Sequence, residues 1–434
     1  MFKVGLYTLG CKVSSYETEA VAEEFESLGF EIASFDSPCD VYVINTCTVT
    51  AESDAKCRKY IRRAVRMNPR AVVAVMGCFS QRSPEAVASI SGVSIVVGTQ
   101  EKLSIPALAL EFLRGVRQEK YISVGSLSGA EFENMKITRA PRTRGYVKIE
   151  DGCDCRCSYC AISAARGPVR SKPMAEVIAE VEGLYKSGTR EIVLVGIETG
   201  SYGADLDDGV DLATLIAELD RRSSCNRIRL GSMAPELLGE SFISRVANLK
   251  ILVPHFHISL QSGSDRVLAG MRRRYNSRQA MANIRRIREL MPRVMLTADL
   301  MVGFPRESEE DFSETVAFLR EAKLLDAHVF AYSRREGTAA AEMKDQIPEE
   351  VKRERSARLI SLKNRVRDEV LSEVVSHGEI LPCIFETRVD GEYVGHSDSY
   401  IEVVCPSDMD LRGEIVNVLP LYHKGGKIFG KALI

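Results

Sequence analysis

The sequence predicts an α/β protein in three parts: an amino-terminal doubly wound α/β domain, a central partial (β/α)6 barrel and a small carboxy-terminal β-barrel. Three observations carry this. Short runs rich in β-branched residues alternate with helical patterns over residues 1–100, the same rhythm recurs six times over 141–340, and residues 376–434 hold short strands separated by turns.

Composition sets the limits. The 434 residues, 45% hydrophobic and 27% charged, suffice for two or three domains with their own cores. No apolar run approaches the ~18 residues needed to span a bilayer. The amino terminus lacks the charged and apolar regions of a signal peptide, so a soluble, cytoplasmic protein with no membrane partner is expected. A formal net charge of −2 gives no global attraction to nucleic acid, and any RNA binding must use local patches. Twelve cysteines in a reducing compartment point to metal ligation more than to packing or disulfides.

In residues 1–100 the predicted strands are Lys3 to Leu9, Val41 to Asn45, Ala71 to Met76 and Val93 to Val97. Doubly wound sheets bind ligands beyond the carboxyl ends of their strands. Cys11, Cys47 and Cys78 each follow one of the first three strands, so they share one edge although they are far apart in sequence. Gly10 and Gly77 precede two of them and let backbone approach a bulky ligand. The trio suits three-thiolate ligation of an iron–sulfur cluster; the rival reading is small cysteines filling tight turns. Cys39 precedes its strand and Cys57 lies in a helix, so neither joins the set. The helix from Ser53 to Arg66 carries Lys56, Arg58, Lys59, Arg62, Arg63 and Arg66, either a solvated face or an RNA-facing one.

Residues 101–140 read as a linker, with a helical pattern from Ile105 to Leu113, a polar stretch from Gly125 to Glu133, and Arg139, Arg142 and Arg144 following. The barrel occupies 141–340, with strands near Tyr146, Glu191 to Val195, Arg227 to Leu230, His255 to Leu260, Val294 to Leu300 and His328 to Tyr332. After the first of these comes the densest chemistry in the chain. Cys153, Cys157 and Cys160 form a C-x3-C-x2-C array, a spacing that wraps three thiolates around one face of a [4Fe-4S] cluster and leaves one iron open to a small molecule. A zinc site would need a remote partner pair, which is missing. Cys155 is the odd thiol and is not counted as a ligand. Glycine or polar residues follow other strands at Gly196 and Glu198, at Ser259 and Gln261, and at Gly303; each glycine is equally a plain turn residue. Arg272, Arg273 and Arg274 beside Tyr275 suit phosphate contact and base stacking, with a solvated helix end as the rival.

Residues 341–375 form a helical connection with Leu359, Leu362, Val366 and Val370 on one stripe. Strand-like runs at Leu381 to Val389, Tyr393 to His396, Tyr400 to Val404 and Gly413 to Leu419 fit a five-stranded barrel over 376–434. The closing stretch from Tyr422 to Lys431 mixes glycine, lysine and aromatics as a backbone-gripping loop would.

The cysteine array resembles the signature of the radical S-adenosylmethionine (SAM) enzymes. The segments Thr8-Leu9-Gly10-Cys11-Lys12-Val13, Tyr16-Glu17-Thr18-Glu19, Asn45-Thr46-Cys47-Thr48-Val49 and Gly77-Cys78-Phe79-Ser80-Gln81 look like the amino-terminal domain of the methylthiotransferases within that group. Arg166-Gly167-Pro168-Val169-Arg170-Ser171 is similar to a further family segment, and residues 376–434 resemble a TRAM domain, an RNA-binding module. The leading motif is most similar to the branch acting on threonylcarbamoyladenosine in tRNA. The resemblance implies two [4Fe-4S] clusters, on Cys153, Cys157 and Cys160 and on Cys11, Cys47 and Cys78, all six counted as catalytic. It implies that SAM is held by Tyr159, Gly196, Glu198, Ser259, Gln261 and Gly303. It also implies a tRNA anticodon stem-loop as substrate, a low-potential electron donor of flavodoxin or ferredoxin type, and a sulfur donor. The product would carry a methylthio group at C2 of the modified adenosine at position 37. Rivals are a relative acting on isopentenyladenosine or a ribosomal protein residue, and a non-catalytic iron–sulfur RNA-binding protein. Ser14-Ser15, Ser163-Ala164 and Ala234 depart from the family pattern.

Overall fold

Valine and isoleucine dominate the early strands, and in the computed structural model, which describes residues 1–140, 143–207 and 209–433, they build a parallel sheet. Arg142, which follows the linker, lies outside the described residues. The strands are Lys3–Thr8 (β1), Glu31–Ala33 (β2), Val41–Thr46 (β3), Val72–Gly77 (β4), Val93–Val97 (β5) and Tyr121–Ser123 (β6), in the order β2-β1-β3-β4-β5-β6. Every residue of β3 and β4 is buried, as a parallel sheet covered on both faces requires. The predicted four strands are all present; β2 and β6 are additions at the edges, three residues each and too short to show alternation. The segment 101–140 supplies helix Ile105–Leu113 and the edge strand β6.

The chain divides into two compact units. One comprises Met1–Ile137, Tyr146–Lys172 and Ser333–Ala341; the other comprises Thr138–Gly145, Pro173–Tyr332 and Glu342–Ile434. A strand at Arg144–Lys148 (β7) is followed in the first unit by Glu150–Asp151 (β8), which pairs antiparallel with Arg170–Ser171 (β9) and closes the cysteine-bearing loop at its base.

In the second unit lie Glu191–Val195 (β10), Ile228–Leu230 (β11), Ser232–Met233 (β12), His255–Gln261 (β13), Met295–Val302 (β14) and Asp326–Ala331 (β15). β11 is the strand predicted at Arg227 to Leu230, and β12 is an addition beyond Gly231: β11 pairs with β10 and β12 with β13, and β14 and β15 continue the parallel pairing. A side chain at Gly231 would begin 2.5 Å from Thr199 Oγ1, which explains the small residue where the chain changes partner.

Helix Glu349–His377 buries Leu359, Leu362, Val366 and Val370, the predicted stripe. It leads to Leu381–Val389 (β16), Glu392–Ser397 (β17), Glu402–Pro406 (β18), Ile415–Lys424 (β19) and Lys427–Leu433 (β20), a closed barrel in the order β16-β17-β18-β20-β19. One expectation is corrected here. The stretch from Tyr422 to Lys431 is a β-hairpin, not a loop: β19 and β20 pair antiparallel across Gly425-Gly426, whose φ values of 60° and 77° match a two-residue turn with both central residues left-handed. Tyr422 and Phe429 stack across it at 4.9 Å. Among the described residues, no helix is long and apolar enough to cross a membrane.

A buried charge cluster joins β10 to its neighbours in the second unit. Glu191 accepts from Arg229 Nε at 2.8 Å and Arg227 Nη2 at 2.8 Å. Burial alone would raise its pKa, but Arg229, Arg227 and Arg144 hold it down from 4.5 to about 2. A depressed folded value means stability that is present above pH 4.5 and lost as pH falls toward 2, worth about 3 kcal/mol. Urea unfolding across that window should show this loss in the parent, and Glu191→Gln, weaker at neutral pH, should show a flatter profile.

Candidate iron–sulfur and SAM sites

The first thiol trio is positioned by strand ends. Cys11 caps helix Lys12–Ser27 after β1, Cys47 directly follows β3, and Cys78 directly follows β4 and opens a short helix. β1 pairs with β3 and β3 with β4, so the three positions lie on neighbouring strands at the same edge. Gly77 is required there: its φ is +99° and a Cβ would fall 2.4 Å from Asn45 Oδ1 and 2.7 Å from the Thr46 carbonyl. At Gly10 a Cβ would sit 3.3 Å from that of Cys47. Burial pushes the Cys78 thiol up to about 12, with Cys11 and Cys47 adding to the rise and Arg166 opposing it. Burial likewise raises Cys47, and Cys11 contributes. Cys47 and Cys78, both raised by burial, are thiols whose protons a metal must displace. Cys57 is buried and donates to the Cys47 carbonyl at 3.4 Å, while Cys39 is in the core of the same domain.

The second trio sits in the loop between β8 and β9. The Cys153 amide donates to the Gly167 carbonyl at 3.0 Å and the Cys160 amide to the Cys157 carbonyl at 3.1 Å, while the Ile162 amide donates to Cys160 Sγ at 3.3 Å. Ser158 accepts from the Ala340 amide at 2.8 Å, which ties the loop to Ser333–Ala341. Cys153, Cys155, Cys157 and Cys160 are all half-buried, as is Tyr159. Partly exposed thiols with an amide directed at one sulfur suit a cluster that must keep one iron accessible.

Gly152 sets the loop's entry. Its φ is +91°, and a Cβ would lie 1.8 Å from the Pro168 carbonyl oxygen. Gly152→Ala should therefore force β8 from β9 and cut iron loading by about half although all thiols remain, measurable as iron per chain after anaerobic reconstitution.

Beneath both trios the first unit buries a lattice of charges that the sequence did not single out. Arg166 donates from Nε to Cys78 Sγ at 3.2 Å, from Nη1 to Glu17 Oε1 at 2.5 Å and from Nη2 to Glu17 Oε2 at 3.1 Å. Lys148 Nζ bridges Glu17 at 2.9 Å and Asp151 at 2.6 Å. Asp151 in turn accepts from the Gly152 amide at 2.9 Å, and Lys102 reaches Glu17 at 3.5 Å. Burial opposes ionisation of Asp151, but Lys148 and Arg166 keep it ionised with a pKa of about 2. Arg335, also buried, donates to Thr48 Oγ1 and Asp54 Oδ2, both at 2.7 Å, and fixes the residue after Cys47. Glu17 and Arg166 stood within the family-like segments quoted above without a role, and Glu17 interrupts the buried stripe Val13, Ala20, Val21 of its helix.

The SAM-facing residues expected from the sequence fall in the second unit, Tyr159 excepted. Gly196 follows β10, and the buried Glu198 accepts from the Ala234 amide at 3.0 Å, one of the departing positions. Ser259 lies within β13, where its carbonyl accepts from Arg273 Nη2 at 3.0 Å. Gln261 ends β13 in a left-handed conformation, φ 64°, and its buried Oε1 has no hydrogen-bond partner. A strained residue holding an orphaned acceptor at a strand's carboxyl end fits a polar ligand. Gly303 has φ +72°, donates to Glu307 Oε1 at 2.9 Å, and would place a Cβ 2.3 Å from Lys352 Cγ.

The expected base-stacking role of Tyr275 is corrected: the ring is 5% exposed and its hydroxyl donates to the carbonyls of Leu260 and Ser259, so it serves the core. On helix Ala51–Met67, Lys56 pairs with Glu52 and Arg63 with Asp36, both at 2.7 Å, and Arg58 lies over Phe79. Lys59, Arg62 and Arg66 remain exposed.

The C-x3-C-x2-C loop beside parallel β-strands is that of a radical SAM protein. The radical SAM superfamily model matches residues 147–319, and a family described as uncharacterized protein family UPF0004 matches 3–98. A Bacillus subtilis (strain 168) protein named threonylcarbamoyladenosine tRNA methylthiotransferase is 40% identical, covering 96% of this chain and 93% of its own length. An Aquifex aeolicus protein of the same name is 37% identical over 85% of this chain and 89% of its own length. A tRNA-2-methylthio-N(6)-dimethylallyladenosine synthase from Acetivibrio thermocellus is 32% identical, covering 95% and 87%. Among solved structures, the radical SAM methyltransferase TsrM from Kitasatospora setae shares the fold, with a TM-score of 0.58 at 17% identity over 78% of this chain and 77% of that one. The chain belongs to the radical SAM methylthiotransferase family.

Proposed function

We propose that this chain methylthiolates tRNA, placing sulfur and a methyl group at C2 of N6-threonylcarbamoyladenosine at position 37. The carrying observation is 40% identity along nearly the whole length of a protein named for that nucleoside, together with two separate thiol trios of the required kind. When bound, a [4Fe-4S] cluster with an open iron supplies the single electron that cleaves SAM, chemistry no side chain here can perform. Cys153, Cys157 and Cys160, all half-buried, would hold that cluster, and three thiolates would leave one iron for SAM. Glu198, Ser259, Gln261 and Gly303 orient SAM from strand ends, with the orphaned Gln261 Oε1 accepting from it. Tyr159 and Gly196 complete that set. Cys11, Cys47 and Cys78 would hold the second cluster, which would supply the sulfur, and Arg166 donates to the Cys78 thiol from beneath. The barrel of β16–β20 grips the anticodon stem-loop backbone. A low-potential flavodoxin- or ferredoxin-type protein donates electrons, a separate donor replenishes sulfur, and the reaction is cytoplasmic.

Nucleoside mass spectrometry of tRNA from cells lacking the gene tests the substrate. Loss of 2-methylthio-threonylcarbamoyladenosine, with the unmodified precursor accumulating, is the expected result. Loss of the dimethylallyl counterpart instead would move the chain to the branch of its 32% relative.

A further inference from the structure

Three neighbouring strands of the second unit bring two histidines and a carboxylate together on one face, and no step above uses them. His257 stands on β13, Asp299 on β14 and His328 on β15. Strand alternation places Phe256 and Ile258, Ala298 and Ala327 on the opposite, buried face. Asp299 and His328 are direct register partners, and His257 is paired two residues earlier with Thr297, on the same face. Their ligand atoms all lie within 4.8 Å of one another, with His257 Nε2 3.2 Å from Asp299 Oδ2 and His328 Nδ1 3.2 Å from Asp299 Oδ1.

We propose that His257, Asp299 and His328 form a mononuclear site for a divalent transition-metal ion of the zinc class. Two imidazoles and a carboxylate are a recognised zinc donor set, and ligand atoms about 2 Å from a tetrahedral ion are about 3.3 Å apart, close to the 3.2 Å from each histidine to its own Asp299 oxygen. The site has the outer partner that metal-bound histidines require. Thr297 Oγ1 is 2.8 Å from His257 Nδ1 and 3.0 Å from His255 Nε2. A hydroxyl both donates and accepts, so when a metal takes Nε2 of His257, the Nδ1 proton goes to Thr297 and the Thr297 proton points to His255. Access is open on one side: the His328 side chain is 75% exposed, against 13% for His257 and 25% for Asp299. Asp326 adds negative charge near His328, and Lys363, paired with Asp326 at 2.7 Å, offsets part of it. Three protein ligands leave a fourth position for water or an incoming group.

None of the three residues is among the six cluster cysteines, and the test runs on the cluster-loaded enzyme. Holoenzyme incubated with zinc and passed through a desalting column should retain about one zinc per chain, with iron unchanged. His328→Ala, exposed and unneeded for folding, and Asp299→Asn should each lose that zinc while keeping full iron and the same cluster absorption. Anomalous scattering at the zinc edge should place the ion between β13, β14 and β15. Wild type that retains no zinc, both variants retaining as much as wild type, or zinc entering only with loss of iron would each overturn the proposal.

Discussion

Cys157→Ala is expected to abolish reductive cleavage of SAM, whereas Cys78→Ala is expected to leave cleavage running and stop only sulfur insertion. Each substitution removes one of three thiolates from a different trio, so each should lower iron by about half, from two clusters to one. The asymmetry is in what survives. With Cys157 gone, the loop between β8 and β9 cannot hold the cluster that passes an electron to SAM, and deoxyadenosine formation under dithionite should fall to the limit of detection. With Cys78 gone, that loop is untouched in its own ligands, and deoxyadenosine should still appear with no methylthiolated tRNA. Quantifying deoxyadenosine, modified nucleoside and iron in the same anaerobic samples checks all three readings.

Arg166→Ala carries the second large effect, and it is first a matter of stability. The side chain is fully buried and forms a two-pronged pair with Glu17 while also meeting Asp151 and Cys78. Removing one member of a buried ionic group leaves the others desolvated and underpaired, at a cost of about 3–5 kcal/mol. Lys102 and Lys148 still neutralise part of the Glu17 charge, which places the loss toward the lower end. Arg166→Lys keeps the charge without the fork and should recover part of it. The urea midpoint reads the stability. The midpoint potential of the cluster on Cys11, Cys47 and Cys78, shifted in Arg166→Lys while the other cluster keeps its own, reads the contact to Cys78.

Much of this was legible in the residues themselves. Runs such as Val41 to Asn45 announce buried parallel strands because β-branched side chains fill a sheet covered on both sides. Once the strands are placed, Cys11, Cys47 and Cys78 fall on one edge without further information, since the carboxyl ends of parallel strands all point one way. The buried lattice was not legible in the same way. Glu17, Lys102, Lys148, Asp151 and Arg166 are scattered over most of the first unit, and charge pairing leaves no periodic trace in sequence. Composition misled at two places. Tyr275 beside three arginines looked like a base platform, but an aromatic that can bury its ring and satisfy its hydroxyl on backbone carbonyls does so. Gly425-Gly426 flanked by lysines and aromatics looked like a gripping loop, although a Gly-Gly pair between alternating residues is equally a hairpin signal. The His257, Asp299 and His328 cluster needed the register of three strands, which no local pattern fixes.

Under the proposed function two trios of thiols each hold a cluster, and SAM meets only the one on Cys153, Cys157 and Cys160. Mössbauer spectroscopy of enzyme reconstituted with iron-57 tests it directly, using wild type and the two triple-alanine variants. About eight irons per chain in wild type and about four in each variant are predicted, with SAM altering a single iron site in the variant that keeps Cys153, Cys157 and Cys160 and leaving the other unchanged. Four irons in wild type, or a response to SAM in the variant lacking Cys153, Cys157 and Cys160, would contradict it.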